Sequence, residues 1–236
     1  MPAILLATAL AAASIAARGG PQGHPAPGGT YSILAHDPVT GEFGVASASH
    51  APLIGVNLDF LDPAVGGVIV HGGPHLAINR KVLTALGDSL APATAIKVGL
   101  VGVPDRERLQ VLATSALGTA AFTGERAEER AAQEIRELSV AAGQRLEDPG
   151  VPAAMQDAFE ASDGPLADRL LIALKAGRDA GGETGGAHSA ALLVVGPGAR
   201  FATRGRLVDL RVDFVPGDAV AALDRLRAQV DSVYEV

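Results

Sequence analysis

The sequence contains no cysteine and no tryptophan among its 236 residues, and only 3% of the residues are aromatic. Without cysteine the chain forms no disulfide, no thiol nucleophile and no cysteine zinc site, which leaves oxygen nucleophiles, histidine and carboxylates for any chemistry. The few aromatic residues argue against stacking platforms for single-stranded nucleic acid. Charged residues make up only 19% of the chain, and the net charge of -7 has the wrong sign for a phosphate backbone. Nucleic acid is therefore not expected as a partner.

Apolar residues are abundant instead, at 48% of the sequence, which is typical of a compact globular protein with a sizeable core. The uncharged run from Ala3 to Ala17 is shorter than the about 20 residues that a membrane-spanning helix needs. Together with the Gly- and Pro-rich stretch 18–29, it is typical of a secretory signal peptide followed by a linker. A short buried helix or a disordered leader is the alternative. We therefore expect residues 1–29 to be signal peptide and linker, the protein to be secreted or periplasmic, and no membrane association after signal removal.

An alternating pattern of apolar and polar residues begins at Thr30. The segments Thr30–His36 and Glu42–Ser49 flank a turn with Asp, Pro and Gly, and this pattern predicts an antiparallel hairpin. Further strands are predicted at 65–71, 109–113, 118–122, 137–141, 189–195 and 207–213, and helices at 76–86, 91–98, 151–161, 165–177 and 216–230. Hairpins, then helices, then strands again predict an α+β protein in which helices pack outside antiparallel sheet.

Three histidines, His50, His71 and His75, are candidates for acid, base or donor roles in a cleft, because imidazole titrates near neutrality. The chain has no His-Glu-x-x-His helix, and the spacing of these histidines through Gly-Gly-Pro is not helical. We therefore expect no metal. No nucleotide or other cofactor site is predicted either.

The tetrapeptide Gly87-Asp88-Ser89-Leu90 matches the signature of GDSL esterases, in which the serine is the nucleophile. The Asp-x-x-His pair that serves this serine occurs nowhere in the chain. The tetrapeptide lies between two predicted helices, where Gly, Asp and Ser are ordinary stop and cap residues. A serine esterase that uses Ser89 is the weaker alternative.

Several separated blocks of the sequence match the pattern of one known family. The first block, residues 30–49, reads TYSILAHDPVTGEFGVASAS and resembles the start of the DUF1028 family, T-F-S-I-V-A-R-D-P-x-T-G-E-x-G-V-A-V-A-S. Further similar blocks are residues 121–125, 159–161, 166–171, 189–195 and 208–213. The resemblance covers nearly all of residues 30–236, which we expect to form a single domain. The family is similar to the N-terminal nucleophile (Ntn) hydrolases, which implies a four-layer αββα sandwich.

The resemblance to Ntn hydrolases implies a role for Thr30 as nucleophile and base. In these enzymes the first residue of the mature chain attacks a carbonyl through its side chain, while its own α-amine takes the proton. Thr30 follows Gly28-Gly29, a junction of the kind that self-processing members cut. By the same resemblance, Ser47 and Ser49 lie where a side chain approaches Thr30 from the paired strand. His71 is a candidate donor to the oxyanion.

The implied function is that of a secreted hydrolase that cleaves an amide bond in a small amide or peptide, with His50 and His75 as candidate binding residues. The alternative is a secreted binding or structural protein on the same fold, in which Thr30 is an ordinary β-branched strand residue. The two differ in the N-terminal residue of the mature protein, because only a cut before Thr30 frees its α-amine. Self-association into a homo-oligomer is left open.

Overall fold

The computed structural model describes residues 28–73, 75–198 and 205–234, so the predicted signal peptide lies outside the described residues. The strands are β1 Thr30–Asp37, β2 Glu42–Ser49, β3 Leu61–Asp62, β4 Gly66–His71, β5 Gln110–Ser115, β6 Gly118–Thr123, β7 Ala132–Ile135, β8 Ser139–Gln144, β9 Ser189–Val195 and β10 Arg206–Val212. The helices are α1 Leu76–Gly87, α2 Pro92–Gly99, α3 Val151–Glu160, α4 Leu166–Asp179 and α5 Ala219–Tyr234. None of the helices in the described ranges is long and apolar enough to cross a membrane.

The strands form two antiparallel sheets that pack face to face. Sheet A has six strands in the order β10-β9-β2-β1-β8-β7, and sheet B has four in the order β3-β4-β5-β6. Helices α3, α4 and α5 contact the outer face of sheet A, and α1 and α2 contact that of sheet B. The predicted α+β class and the predicted αββα layer order are confirmed.

Three apolar clusters fill the spaces between the four layers. One lies between sheet A and its helices and includes Met155 and Phe159 of α3 and Leu170 of α4. A second lies between sheet B and its helices, and a third, which includes Leu34 and Leu112, lies between the two sheets. Each large apolar side chain that is fully buried contributes roughly 1.5–3 kcal/mol to folding. The inter-sheet cluster holds β1 in a fixed position at the centre of sheet A.

The predicted hairpin of β1 and β2 fixes which side chains face the second sheet. Its turn closes through Asp37, whose carboxylate accepts a hydrogen bond from the backbone N–H of Val39 at 2.9 Å, and through Gly41, whose φ of 73° a residue with a Cβ rarely adopts. The register pairs Thr30 with Ser49. Because directly opposed residues point to the same face of a sheet, both of their side chains lie on the inter-sheet side.

Some boundaries differ from the prediction. Strand β8 begins at Ser139 rather than Glu137, and it extends to Gln144, beyond the predicted end at Ala141. The short strands β3 and β7 were not predicted, and helix α5 begins at Ala219 rather than Pro216. Strand β7 is an edge strand with the sequence AQEI, half of which is exposed, so it lacks the apolar alternation of a buried strand.

Candidate active site

A cleft of about 460 Å³ opens between the ends of the two sheets. Sheet A contributes Thr30 and Ser49 from β1 and β2, and sheet B contributes His71 from β4. The loop after β2 forms an apolar rim that includes Leu53 and Val56, both of them exposed. The sequence predicted Thr30, Ser49 and His71 as site residues, and the structure brings these three together.

Thr30 and Ser49 share a hydrogen bond at the floor of the cleft, with 2.7 Å between their hydroxyl oxygens. The Ser49 hydroxyl donates to the carbonyl oxygen of Gly29 at 3.0 Å and accepts the backbone N–H of Ala51 at 3.1 Å. Since a serine has a single hydroxyl hydrogen and Gly29 takes it, the hydroxyl of Thr30 is the donor to Ser49. This arrangement fixes the rotamer of Thr30 and directs its proton away from Gly29.

The two glycines before Thr30 are packed without space for a side chain. A Cβ added to Gly28 would lie 2.0 Å from the Cβ of His50, and one added to Gly29 would lie 2.3 Å from the Cβ of Glu183. The Gly29 carbonyl also accepts the backbone N–H of His50 at 3.1 Å, in addition to the Ser49 hydroxyl. The carbonyl before Thr30 therefore has two donors on its oxygen.

A second row of polar side chains lies one step deeper between the sheets. Ser32 pairs with Ser47 across the hairpin, and their hydroxyl oxygens are 2.6 Å apart. Ser32 also contacts Nε2 of His71 at 2.8 Å, and Nδ1 of His71 lies 3.1 Å from Oε1 of Gln110. Ser47 therefore contacts Ser32 rather than Thr30, and its place is beneath the cleft floor.

The hydrogen bonds of Gln110 determine the tautomer of His71. Nε2 of Gln110 donates to Thr123 and to the carbonyl of Ala132, which leaves its Oε1 as the acceptor for Nδ1–H of His71. Nε2 of His71 then accepts the hydroxyl hydrogen of Ser32. Burial lowers the pKa of His71 from 6.5 to about 4, so the ring is neutral near pH 7.

This geometry differs from the sequence expectation that His71 donates to an oxyanion. One ring nitrogen of His71 donates to Gln110 and the other accepts from Ser32, so neither is left to donate to a substrate oxygen. The histidine instead holds the Ser32 hydroxyl in place directly beneath the cleft. We therefore assign His71 a positioning role.

Three polar residues of the cleft were not predicted from the sequence: Gln144, Arg145 and Glu128. Gln144 is the last residue of β8 and lies directly opposite Thr30 in the ladder. Arg145 follows it with a φ of 51°, a left-handed conformation that costs roughly 1–2 kcal/mol for a residue with a Cβ. The guanidinium of Arg145 forms an ion pair with Glu128 at 2.7 Å, so the two charges neutralise each other at the cleft wall.

Glu183 is a buried carboxyl that packs against the Gly29–Thr30 junction. Only 3% of the residue is exposed, and its Oε1 has no hydrogen-bond partner among the described residues. Burial, together with the smaller effect of the negative charge of Asp218, raises the pKa of Glu183 to about 7. The side chain therefore carries a proton over much of the range below neutrality.

His50 and His75 lie outside the cleft lining. The ring of His50 packs on Gly28 and lies tilted by 35° against the ring of His188, with 4.3 Å between ring centroids. Its Nδ1 donates to the carbonyl of Gly186 at 3.2 Å. His75 precedes α1, where its Nε2 is 3.4 Å from the carbonyl oxygen of Gly72. The three histidines do not converge. Within residues 28–73, 75–198 and 205–234, no group of three His, Asp or Glu side chains is placed to hold a metal ion.

Ser89 lies in an exposed turn between α1 and α2, on the outer layer of the sandwich. Its backbone is left-handed with a φ of 62°, and its N–H donates to the carbonyl of Leu86 at 2.9 Å. These are features of a helix end. Ser89 is not among the residues that line the cleft.

The comparisons with known proteins identify relatives but no activity. The model of a family described as "Family of unknown function (DUF1028)" matches residues 30–223. The chain is similar to protein SPO2555 from Silicibacter pomeroyi, whose crystal structure is also described as DUF1028. The two sequences are 34% identical, and the alignment covers 86% of this chain and 86% of that chain with a TM-score of 0.78. Thiobacillus denitrificans BPH in complex with Epoxomicin is 16% identical over 72% of this chain and 100% of that chain, with a TM-score of 0.34. None of the curated proteins matches the chain.

Proposed function

The chain belongs to DUF1028, a family of unknown function, and from its cleft we propose that it is an exported amide hydrolase of the N-terminal nucleophile type with Thr30 as the nucleophile. The observation that carries this proposal is the position of the Thr30 hydroxyl. It lies in the cleft at the very start of the central strand of sheet A, oriented by Ser49 and preceded by two glycines that tolerate no side chain. An ordinary strand threonine requires none of these features.

A cut between Gly29 and Thr30 is the first step of the proposed function. The Thr30 Oγ1 attacks the Gly29 carbonyl carbon, the bond from that carbon to the Thr30 nitrogen breaks, and the hydroxyl proton ends on this nitrogen. Water then hydrolyses the resulting ester. Negative charge that develops on the Gly29 oxygen during the attack would be stabilised by its two donors, the Ser49 hydroxyl and the His50 N–H. The cut leaves Thr30 with a free α-amine.

In turnover, the α-amine and the hydroxyl of Thr30 act together on the substrate. The amine, with an ordinary pKa of about 7.7–8.0, takes the hydroxyl proton as Oγ1 bonds to the amide carbon. The proton then passes to the leaving nitrogen as the carbon–nitrogen bond breaks, and water hydrolyses the ester to release the acid. The apolar rim of Leu53 and Val56 supports a substrate whose acyl or amine side is apolar.

The N-terminal residue of the purified protein tests this proposal. We expect Thr-Tyr-Ser-Ile at the N-terminus of wild type, and hydrolysis of at least one member of a panel of N-acetyl amino acid p-nitroanilides. Thr30→Ala should remain uncut and inactive while losing only about 1 kcal/mol of stability, the worth of one hydrogen bond. Thr30→Ser should keep partial activity, because it keeps the hydroxyl. Thr84→Ala, an exposed change on α1, is the matched control and should be cut and active.

A mature chain that begins near Ala17 would contradict the proposal and favour the secreted binding or structural protein. Hydrolysis by a chain that still carries Gly28-Gly29 would place the chemistry on another residue. Either result is read directly from N-terminal sequencing combined with the hydrolysis assay.

Export is the part of the proposal that depends on residues outside the described ranges. A charged hydrophobic region does not engage the export machinery, so replacing both Leu5 and Leu6 by Asp should keep the protein in the cytoplasm. Fractionation of cells that produce wild type and the double variant measures this. Unchanged extracytoplasmic accumulation of the variant would remove the signal peptide from the proposal.

A further inference from the structure

Gln144 presents a buried amide to the cleft beside Thr30. It pairs directly with Thr30 across the β1–β8 ladder, and it shares its side of sheet A with Val140 and Ala142, which pack in the inter-sheet cluster. Its side chain therefore points to the inter-sheet face, where the cleft lies. Gln144 is only 4% exposed and lines the cleft.

The Nε2 group of Gln144 has no hydrogen-bond partner among the described residues. The other two glutamines that the structure buries are different, because Nε2 of Gln110 donates to Thr123 and Ala132, and Nε2 of Gln156 donates to the carbonyl of Glu134. A buried donor without an acceptor destabilises the folded state, so its presence at a cleft wall points to an acceptor that a ligand supplies.

The surroundings of Gln144 favour a neutral acceptor, such as a carbonyl oxygen. The charge of Arg145 is paired with Glu128, and the neighbouring His71 ring is neutral and fully engaged. Directly opposed residues of antiparallel strands have Cα atoms about 4.5–5.5 Å apart, so a carbonyl held by Gln144 lies within reach of the Thr30 hydroxyl. His71 has no free N–H to donate to a substrate carbonyl oxygen, so this donor role is open to Gln144.

We infer that Nε2 of Gln144 donates a hydrogen bond to the carbonyl oxygen of the amide that Thr30 attacks, and this inference rests on the proposed function. Attack by Thr30 converts that carbonyl oxygen to an oxyanion. A donor already aimed at the oxygen stabilises the developing charge more strongly than the ground state. Gln144 is thus a catalytic residue, on the β8 side of Thr30, while Ser49 flanks Thr30 on the β2 side.

A binding experiment tests the contact without any turnover. In Thr30→Ala protein prepared to begin at residue 30, so that Gly28, which lines the cleft of the uncut chain, is absent, the side-chain amide signals of Gln144 are followed by NMR while the panel of N-acetyl amino acid p-nitroanilides is titrated. We expect the Gln144 signals to shift with at least one compound, and the same compound to bind at least tenfold more weakly when Gln144→Glu is added. Gln144 signals that stay fixed with every compound would overturn the inference. A shift in a protein whose wild type hydrolyses nothing would refute the proposed function but keep the carbonyl contact.

Catalysis and stability provide a second test that separates function from structure. In Gln144→Glu, assayed well above pH 7 so that the buried carboxyl is ionised, the donor is lost at nearly constant size, so kcat should fall about 100-fold, with a smaller change in KM. Gln144→Met also removes the unpaired donor, so its Tm should equal or exceed that of wild type while activity is lost. A Gln144→Met protein that melts several degrees lower would indicate a structural role and overturn the inference. Unchanged kcat in Gln144→Glu, with Thr30→Ala inactive, would refute the inferred role of Gln144 and leave the proposed function of Thr30 standing.

Discussion

Two buried groups, His71 at the cleft and Glu183 at the Gly29–Thr30 junction, have pKa values that are shifted in opposite directions. As a result, their contributions to the free energy of unfolding change with pH in opposite directions. Burial lowers the pKa of His71 from 6.5 to about 4, and burial also raises the pKa of Glu183 from 4.5 to about 7. Neutral His71 therefore stabilises the fold fully above pH 6.5, and this contribution is lost as the pH falls towards 4. Protonated Glu183 stabilises the fold fully below pH 4.5, and its contribution is lost as the pH rises through 7.

The size of each effect follows from the number of protons that folding releases or takes up. At about pH 5.5, folding releases about 0.9 proton from His71 and takes up about 0.9 proton at Glu183. Stability rises with pH wherever the unfolded chain binds more protons, so His71 raises the free energy of unfolding by about 1.2 kcal/mol per pH unit, and Glu183 lowers it by a similar amount. In the uncut chain these two contributions nearly cancel.

Urea unfolding at about pH 5 and about pH 6 measures the two contributions separately in the uncut Thr30→Ala background, in which Glu183 keeps its packing against Gly29. In Glu183→Gln the His71 contribution is no longer offset by Glu183, and it should raise the free energy of unfolding by about 1.2 kcal/mol over this interval. In His71→Gln only Glu183 remains, and it should fall by about as much. The slope is compared rather than the level, because His71→Gln also disturbs the bonds to Ser32 and Gln110. Equal slopes of the free energy of unfolding against pH in the two variants would refute the opposite pKa shifts of His71 and Glu183. Burial also lowers the pKa of His36, but this residue is present in every protein compared.

Two further predictions concern single side chains. Gly29→Ala should destabilise the uncut chain by about 1–3 kcal/mol, because its Cβ would press on Glu183, yet after cleavage the mature protein should melt like wild type. The control is Gly87→Ala, whose added Cβ would have its nearest neighbour at 3.8 Å. In thermal melts this control should stay within roughly 0.5 kcal/mol of wild type. Ser89→Ala should leave hydrolysis of the p-nitroanilide panel unchanged, and loss of all turnover at an unchanged Tm would revive the esterase alternative.

The sequence predicted the part of the site that local pattern controls. Alternation and turn residues predicted the hairpin of β1 and β2, and a hairpin with a defined turn also sets its register, which places Ser49 opposite Thr30. The partners in β8 and β5 are set by pairings between distant segments. Gln144 lies beyond the predicted end of its strand at Ala141, so its place opposite Thr30 was not predictable.

The role of His71 was not predictable for a related reason. A histidine at the end of an apolar strand has the same sequence signature whether its ring is free or fully hydrogen-bonded. The acceptor that fixes its tautomer, Gln110, comes 39 residues later on a neighbouring strand. The sequence therefore indicated a histidine at the cleft, but its buried neutral state depends on how sheet B assembles against Ser32.

The central position of β1 has a consequence for the dynamics of a processed chain. The first residues of most proteins fray, because few contacts restrain them. Here Thr30 pairs with Ser49 on one side and Gln144 on the other, so a chain that begins at Thr30 would have its end held in two ladders of a six-stranded sheet. Backbone amides from Tyr31 onward should then exchange with solvent deuterium as slowly as those in the middle of β1. Exchange at these amides would require global unfolding of the protein.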